Sequence, residues 1–261
     1  MKMSLIALAA LTLLAAMPAA AEPWHDDFTP RAPEVVRPGH MEWAWDGSDG
    51  LGVSVPATVH YQRGGPARIV ITGPDATLRH LRVGQGQIRH DNSPGLFRDG
   101  HLDITVSGVA LRDVMLAGSP DMDLGRLDQD ELNLAIHGSG KARAEGRIDR
   151  LRLAIHGSGK AMLGQIRAQR ADVEISGSGR MGASGQIGQV AIAIHGSGRA
   201  AMDDVSTRRA DIAITGSGEA AIAPHDAANI AITGSGDVHL TARPAQIHRS
   251  VRGSGNIDVT G

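Results

Sequence analysis

Basic side chains recur at nearly even spacing in the C-terminal half of the sequence, each directly after a Gly-Ser-Gly triplet. They are Lys141, Lys160, Arg180 and Arg199. The same position holds Glu219 and Asp237 in the next two copies. If the copies stack, four cations followed by two anions form a column that can hold a sulfated or carboxylated glycan, or join molecules head to tail. A row of solvated charges at exposed corners is the alternative, and the sequence leaves both interpretations open.

Two histidines, His137 and His156, precede the triplet in adjacent copies, and a third recurs at His195. Paired strands lie about 4.8 Å apart, so stacking would bring the first two imidazoles close enough to reach one metal ion. A zinc site usually needs three or four ligands, and Ser176 interrupts the column before His195. We therefore expect a polar ladder here, with no metal and no cofactor.

Motifs that would specify a reaction are missing from the sequence. The phosphate-loop pattern Gly-x4-Gly-Lys-Ser/Thr and the nucleophile elbow Gly-x-Ser-x-Gly do not occur. The chain has no cysteine, which excludes thiolate metal ligands and cysteine nucleophiles. A polysaccharide lyase or hydrolase remains the alternative, because parallel β-helices often carry such enzymes. Its carboxylates would come from an acidic cluster that a solvated loop explains equally, namely Asp121, Asp123, Asp128 and Asp130.

The Gly-Ser-Gly triplet sets the fold prediction. Aliphatic residues lie two positions before every triplet and four positions before six of them, as at Ile136 and Leu134. This alternation predicts one strand per copy with an aliphatic inner face, followed by a corner whose two glycines permit a positive φ. The triplets start 19, 20, 19, 20, 18 and 19 residues apart. The turn glycines are Gly138, Gly140, Gly157, Gly159, Gly177, Gly179, Gly196, Gly198, Gly216, Gly218, Gly234, Gly236, Gly253 and Gly255.

A fixed period of this length is typical of stacked repeats. We predict an all-β fold, a parallel β-helix or solenoid with rungs of about 19 residues. Right-handed winding is favoured, because right-handed crossovers are the default for parallel strands and the copies lack the six-residue subperiod of a left-handed hexapeptide helix. On the outer side of the strand, small residues form a face that could pack against another segment or molecule. They are Ala135, Ala154, Ala193, Ala213 and Ala231.

The N-terminal residues divide into a leader and a tail. Residues 1–21 combine Lys2, the apolar run Leu5–Leu14 and the small residues Ala19–Ala21, which is typical of a secretory signal peptide. The apolar run is too short to span a bilayer. Residues 22–50 hold four prolines and all three tryptophans. We interpret them as an irregular tail, or alternatively as a cap that folds back over the first rung.

The remaining chain is interpreted as one solenoid domain. Residues 51–128 are predicted to be diverged early rungs with a polar insertion around Gly84–Gly100. Within them, Ile69–Gly73 reads like the rung strand Ile212–Gly216. Residues 129–261 are predicted to form the regular Gly-Ser-Gly rungs.

The recurring Ile-x-Gly-Ser-Gly signature, its spacing, the leader and Ile71-Thr72-Gly73 in the lead-in together resemble the head GIN domain family of putative auto-transporter adhesins. The resemblance covers about residues 51–261. It implies an exported parallel β-helix without an established catalytic activity, and it supplies no functional residues to carry over.

The formal net charge of −2 gives no global basic field, so we expect no nucleic-acid partner. The sequence predicts a non-enzymatic exported β-solenoid, located in the periplasm or at the cell surface of a bacterium. It would act as an adhesin-like binding or structural module of the envelope. The expected partners are an anionic glycan or another envelope component, or a second copy bound through the alanine face or the open solenoid end. No transmembrane segment is expected in the mature chain.

Overall fold

A computed structural model of the chain describes residues 28–45, 49–91 and 100–260. This part is almost entirely β-structure, with one short helix, α1 (Asp75–Leu78). The strands are β1 (Val35–Arg37), β2 (His40–Ala44), β3 (Gly50–Val53), β4 (Ala57–Gln62), β5 (Arg68–Thr72), β6 (Leu81–Gly84), β7 (Gln87–His90), β8 (Leu102–Ser107), β9 (Asp113–Gly118), β10 (Asp121–Gly138), β11 (Lys141–Gly157), β12 (Lys160–Gly177), β13 (Arg180–Gly196), β14 (Arg199–Gly216), β15 (Glu219–Gly234), β16 (Asp237–Leu240), β17 (Gln246–Gly253) and β18 (Asn256–Val259). They form a β-solenoid of about eight turns.

The regular part of the solenoid runs from β10 to β15. Each of these strands has 16–18 residues, bends around one rung, and pairs in parallel with the next. Ile155 lies opposite Ile136 on one side and Ile175 on the other, and all three are fully buried. The predicted parallel solenoid with its aliphatic core is therefore confirmed, while the right-handed winding stays a prediction.

The two glycines of each corner are required for different reasons. Gly177 has a φ of +116°, and a Cβ there would lie 2.7 Å from the carbonyl oxygen of Gly157 in the rung before. Gly179 has no positive φ, but a Cβ there would lie 2.5 Å from Cγ2 of Ile155. The expectation that both glycines serve a positive φ is wrong for the second one, which instead makes room for the core isoleucine.

Rungs of 19 and 20 residues alternate because the second corner is built in two ways. In β11, Gly146 takes a φ of +108° and the buried Ile148 follows two residues later. In β12, Gln165 is inserted at a φ of +51°, and the buried Ile166 then lies opposite Gly146. A Cβ at Gly146 would overlap the carbonyl oxygen of Leu127, so the large and small residues alternate from rung to rung.

The order of the early strands in space differs from their order in the chain. β7 and β8 form the outermost rung, β7 lying beyond β3 and β8 beyond β4. The chain then returns toward the regular stack, where β9 pairs with both β3 and β10. The parallel pairs show rungs in this region that are not stacked in sequence order, and the bounds of 51–128 for the early rungs stay a prediction.

Antiparallel strands cover the outer edge of this first rung. β5 pairs antiparallel with β8, β2 pairs antiparallel with β5, and β1 continues the sheet. The likeness of Ile69–Gly73 to a rung strand was therefore misleading, because alternation of side chains does not encode strand direction. Within the predicted polar insertion, β6 and β7 form a hairpin around the buried Ile88. Residues 92–99 lie outside the described residues.

The N-terminal tail is partly ordered in this antiparallel sheet. Trp43 and Trp45 are 4% and 7% exposed, and Nε1 of Trp43 donates a hydrogen bond to the carbonyl oxygen of Arg31 at 3.1 Å. Residues 35–37 and 40–44 therefore form strands, and the division of residues 22–50 into a tail or a cap stays a prediction. The predicted signal peptide and Trp24 lie outside the described residues.

At the other end, the stack finishes with β17 and β18. β17 pairs with β15, β18 pairs with β16, and no other described strand pairs with either of them. Two core-facing positions are unusual here. Arg249 lies opposite Ile230, and Val251 lies opposite Ile232 with 41% of its surface exposed.

Candidate functional site

The basic column lies on the flat face formed by the first residues of β11 to β14. The parallel register makes its members direct neighbours from rung to rung: Lys141, Lys160, Arg180 and Arg199. With strands about 4.8 Å apart, the four cations span about 14 Å along the solenoid axis. The column continues into Asp121 on one side and into Glu219 and Asp237 on the other.

Acidic neighbours neutralise the two outer cations of the column. Nζ of Lys141 lies 2.9 Å from Oδ2 of Asp121, and Nη2 of Arg199 lies 2.5 Å from Oε2 of Glu219. Both pairs are exposed, and exposed ion pairs contribute only about 0–1 kcal/mol to stability. Their consequence is electrostatic, since they reduce the positive field at the two ends of the column.

The two inner cations are different. Lys160 and Arg180 are exposed, and neither side chain takes part in any ion pair or side-chain hydrogen bond within residues 28–45, 49–91 and 100–260. Met162 lies two residues after Lys160 on the same strand and is 41% exposed. Its Sδ is 3.3 Å from where a Cβ would stand at Gly182, so the methionine covers the glycine beside it. The centre of the face therefore presents two available cations next to a small apolar surface.

The two histidines stack face to face. The ring centroids of His137 and His156 are 4.9 Å apart, and the ring planes make an angle of 22°. A metal ion binds in the plane of an imidazole, and two nearly parallel planes do not meet at one ion. Ser176 separates the pair from His195 in the register, as the sequence indicates. Throughout the described part of the chain, no group of three His, Asp or Glu residues could hold a metal ion.

The alanine face is less continuous than the sequence reading suggested. Ala135 is only 5% exposed, so it belongs largely to the interior. Glu174 lies in the register between Ala154 and Ala193 and places a charge in the middle of the alanine face.

The acidic cluster is also dispersed, because its carboxylates contact different partners. Asp121 binds Lys141, as described above, and Oδ1 of Asp123 accepts a hydrogen bond from the Gly125 amide at 2.9 Å.

A concave surface that the sequence analysis missed follows the second corner of the rungs. Two adjoining depressions, of about 420 and about 430 Å³, share Arg147 and Arg167 in their lining. Together they form one shallow groove that crosses the rungs from β10 to β15. The depressions occur where Gly146 and Gly188 lack side chains. The alternation of 19 and 20 residues in the triplet spacing was the sequence signal for this uneven corner.

The arginines of the groove differ in whether they form ion pairs. Nε of Arg147 lies 2.8 Å from Oδ1 of Asp128 and its Nη1 lies 2.7 Å from Oδ1 of Asp149. These hydrogen bonds raise the pKa of the Arg147 guanidinium above its ordinary value. By contrast, the side chains of Arg167 and Arg208 form no ion pair and no side-chain hydrogen bond in the described part of the chain.

The sequence matches the model of a known protein family. The family model described as "Putative auto-transporter adhesin, head GIN domain" matches residues 49–244. The chain belongs to the head GIN domain family. The predicted resemblance is therefore confirmed. A comparison with curated proteins finds no match.

Several solved structures share the GIN-domain fold at low sequence identity. A crystal structure of a putative lipid binding protein from Parabacteroides distasonis is 20% identical, covers 85% of this chain and 96% of its own, and superposes with a TM-score of 0.77. A putative adhesin from the same organism is 14% identical, with 84% and 95% coverage and a TM-score of 0.75. A putative adhesin from Parabacteroides merdae is 17% identical, with 85% and 95% coverage and a TM-score of 0.78. At these identities the likeness shows the fold alone.

Among the described residues of this GIN domain, no helix is long and apolar enough to cross a membrane. Membership in a family described as adhesins suggests an exported, surface-related protein. Which surface of the solenoid binds a ligand must be argued from the geometry.

Proposed function

We propose that this GIN domain is an exported, non-enzymatic binding module that holds an anionic polymer, such as a sulfated or carboxylated envelope glycan, along the basic column. One observation carries the proposal: Lys160 and Arg180 lie at the centre of a flat face, without an ion-pair partner among the described residues. Cations that are already paired must give up a partner before they bind a ligand, whereas these two need not. Export, to the periplasm or the cell surface, is part of the proposal and rests on the leader in residues 1–21 and on the family.

The parallel sheet supports binding by fixing the spacing of the charges. Lys160 and Arg180 begin strands whose backbones pair on both sides, with Lys141 before them and Arg199 after them. Little backbone freedom is therefore lost when a ligand binds. The exposed Met162 offers an apolar contact for the polymer backbone beside the charges. An extended polymer that repeats its anions along a chain matches this geometry better than a compact ion does.

Binding to immobilised dextran sulfate, with uncharged dextran as reference, tests the proposal. We expect the double variant Lys160→Gln/Arg180→Gln to bind about tenfold more weakly, since two exposed charge contacts of about 0.7 kcal/mol each amount to that factor. The loss should shrink as salt is added, because exposed charges are screened.

The matched control is Arg150→Gln/Arg209→Gln, which removes two exposed, unpaired arginines from β11 and β14 away from the column face. The control should keep at least about half of the wild-type affinity, since it removes the same charge without touching the column. Equal losses in the two double variants would show that only net charge matters, and would contradict a site on the column.

A further inference from the structure

The groove along the second corner is a second candidate binding site, on a different surface from the basic column. Its larger depression has a volume of about 430 Å³ and lies across β11 to β15. We propose that this groove binds a short oligosaccharide through the carboxylate groups of uronic-acid units.

Arg147 binds two of the acids near the groove, Asp128 and Asp149, while Glu145 lines the smaller depression and is not bound by it. Arg147 and Arg167 are direct neighbours in the register, and Arg147 is held by Asp128 and Asp149. This arrangement leaves the Arg167 guanidinium without a carboxylate partner in the described structure. Across the groove, Nη2 of Arg208 lies 3.6 Å from where a Cβ would stand at Gly188, so its guanidinium extends over the gap left by the glycine.

Two free guanidiniums favour oxyanions with planar, paired oxygens. A guanidinium donates two parallel N–H bonds to a carboxylate, and this bidentate geometry adds specificity to the charge attraction. The glycine is essential to the arrangement, because a Cβ at Gly188 would also lie only 2.7 Å from the carbonyl oxygen of Gln169. The groove and the position of Arg208 therefore depend on the same missing side chain.

Neutral polar groups between the arginines suit the hydroxyls of a sugar. Gln169, Gln186 and Ser206 line the larger depression and are exposed, offering amide and hydroxyl groups that both donate and accept. At the far end, Nδ1 of His225 lies 3.2 Å from the carbonyl oxygen of Thr207. Because a carbonyl only accepts, Nδ1 donates there, and Nε2 of the neutral ring is left as an acceptor.

The floor of the groove is apolar and repeats with the rungs. Ile187 is buried beneath it and Ala168 lies opposite Ile187 in the register. A sugar ring has apolar C–H faces as well as polar edges, so it can lie on such a floor while its edges reach the amides. The distance between rungs, about 4.8 Å, is close to the length of one sugar unit, so successive units can lie over successive rungs.

Titration calorimetry with tetragalacturonate, and with neutral maltotetraose as reference, tests this proposal. We expect wild-type protein to bind tetragalacturonate and not maltotetraose. Arg167→Gln/Arg208→Gln should weaken binding by about a hundredfold, because each of the two lost charge-assisted contacts costs about tenfold in affinity. Arg167→Lys keeps the charge but not the fork, and should weaken binding by a smaller factor. Both arginines are exposed, and unchanged circular dichroism will verify folding.

The column variant Lys160→Gln/Arg180→Gln separates this proposal from the proposed function. It should keep at least about half of the wild-type affinity for tetragalacturonate, since a carboxylated chain can also contact the column, while binding dextran sulfate about tenfold more weakly. Loss of tetragalacturonate binding in the column variant alone would place the sugar on the column and overturn the groove site. Wild-type protein that fails to bind tetragalacturonate, or that binds maltotetraose equally, would overturn it as well, and neither result would affect the dextran sulfate test.

Discussion

The two ends of the solenoid are finished in different ways. At the N-terminal end, the antiparallel strands β5, β2 and β1 cover the edge of β8, and Trp43 and Trp45 are buried there. At the other end, β17 and β18 have no further described partner strand, and Arg249 takes a core-facing position. One end is covered by additional polypeptide, and the other presents an exposed arginine at a core-facing register position.

This difference determines what each described end of the stack presents to another chain. An open rung exposes both apolar core positions and unpaired backbone groups, which are a template for another chain. The extra strands move the open edge to the three-residue strand β1, whereas a charge at a core-facing register position makes pairing with another chain costly. Both candidate binding surfaces lie between the ends, on rungs that neighbours support on both sides.

The largest expected difference between the ends is in the cost of truncating a core side chain. Trp43→Ala should lower the free energy of unfolding by about 3–5 kcal/mol, since the side chain is almost fully buried. Val251→Ala should cost less than about 1 kcal/mol, because the valine is already 41% exposed. Urea denaturation of both variants measures this. Equal costs would mean that the C-terminal rung is covered too.

A smaller effect should appear on acidification, at the N-terminal end only. Burial lowers the pKa of His90 from 6.5 to about 4, opposed by the charge of Asp91 and assisted by His80. The unfolded chain therefore binds this proton at a higher pH than the folded one, so stability rises with pH between about 4 and 6.5 and is lost as pH falls through that window.

Tryptophan fluorescence during urea denaturation at pH 7, 6 and 5 checks this. The denaturation midpoint should fall toward pH 5 in the wild type and change less in His90→Asn, which does not titrate there. Identical pH dependence in the two proteins would contradict a role for His90.

The smallest effect on stability, but a visible one on association, is expected from Arg249→Ile. The substitution restores the aliphatic residue found at this position in β15, where Ile230 lies opposite. The end of the stack becomes continuous apolar surface beside unpaired strand edges, so concentration-dependent self-association should appear in sedimentation velocity. Arg252→Ile, on the outer side of the same strand, is the control. If neither variant associates more than the wild type does, the charge at Arg249 does not protect the end.

The regular rungs could be predicted from the sequence because each rung repeats the same short motif. The Gly-Ser-Gly corner and the aliphatic residues before it are local signals, and parallel stacking follows from their repetition. The N-terminal region could not be predicted in the same way. The alternation in Arg68–Thr72 is the same for a parallel and an antiparallel strand, and only the pairing with β8 decides its direction.

The candidate sites could also be predicted only in part from the sequence. The column of cations was visible because its members follow a motif, but the pairing of Lys141 with Asp121 depends on side-chain geometry across a rung boundary. The groove could not be predicted as a site from the sequence. Arg167 and Arg208 belong to no shared motif, and they line the same depression only because the corners stack. The sequence signals for the groove were Gly188 and the alternating triplet spacing.

Native-state hydrogen exchange, resolved strand by strand, tests most directly the claim that the two ends are closed differently. Amides of β5 and β8 should exchange about as slowly as those of β11 to β14, because strands pair on both sides of each. Amides of β17 and β18 should exchange at least about tenfold faster, since they pair on one side and fray. Fast exchange in β5 and β8, or protection of β17 and β18 equal to that of the middle rungs, would contradict the account.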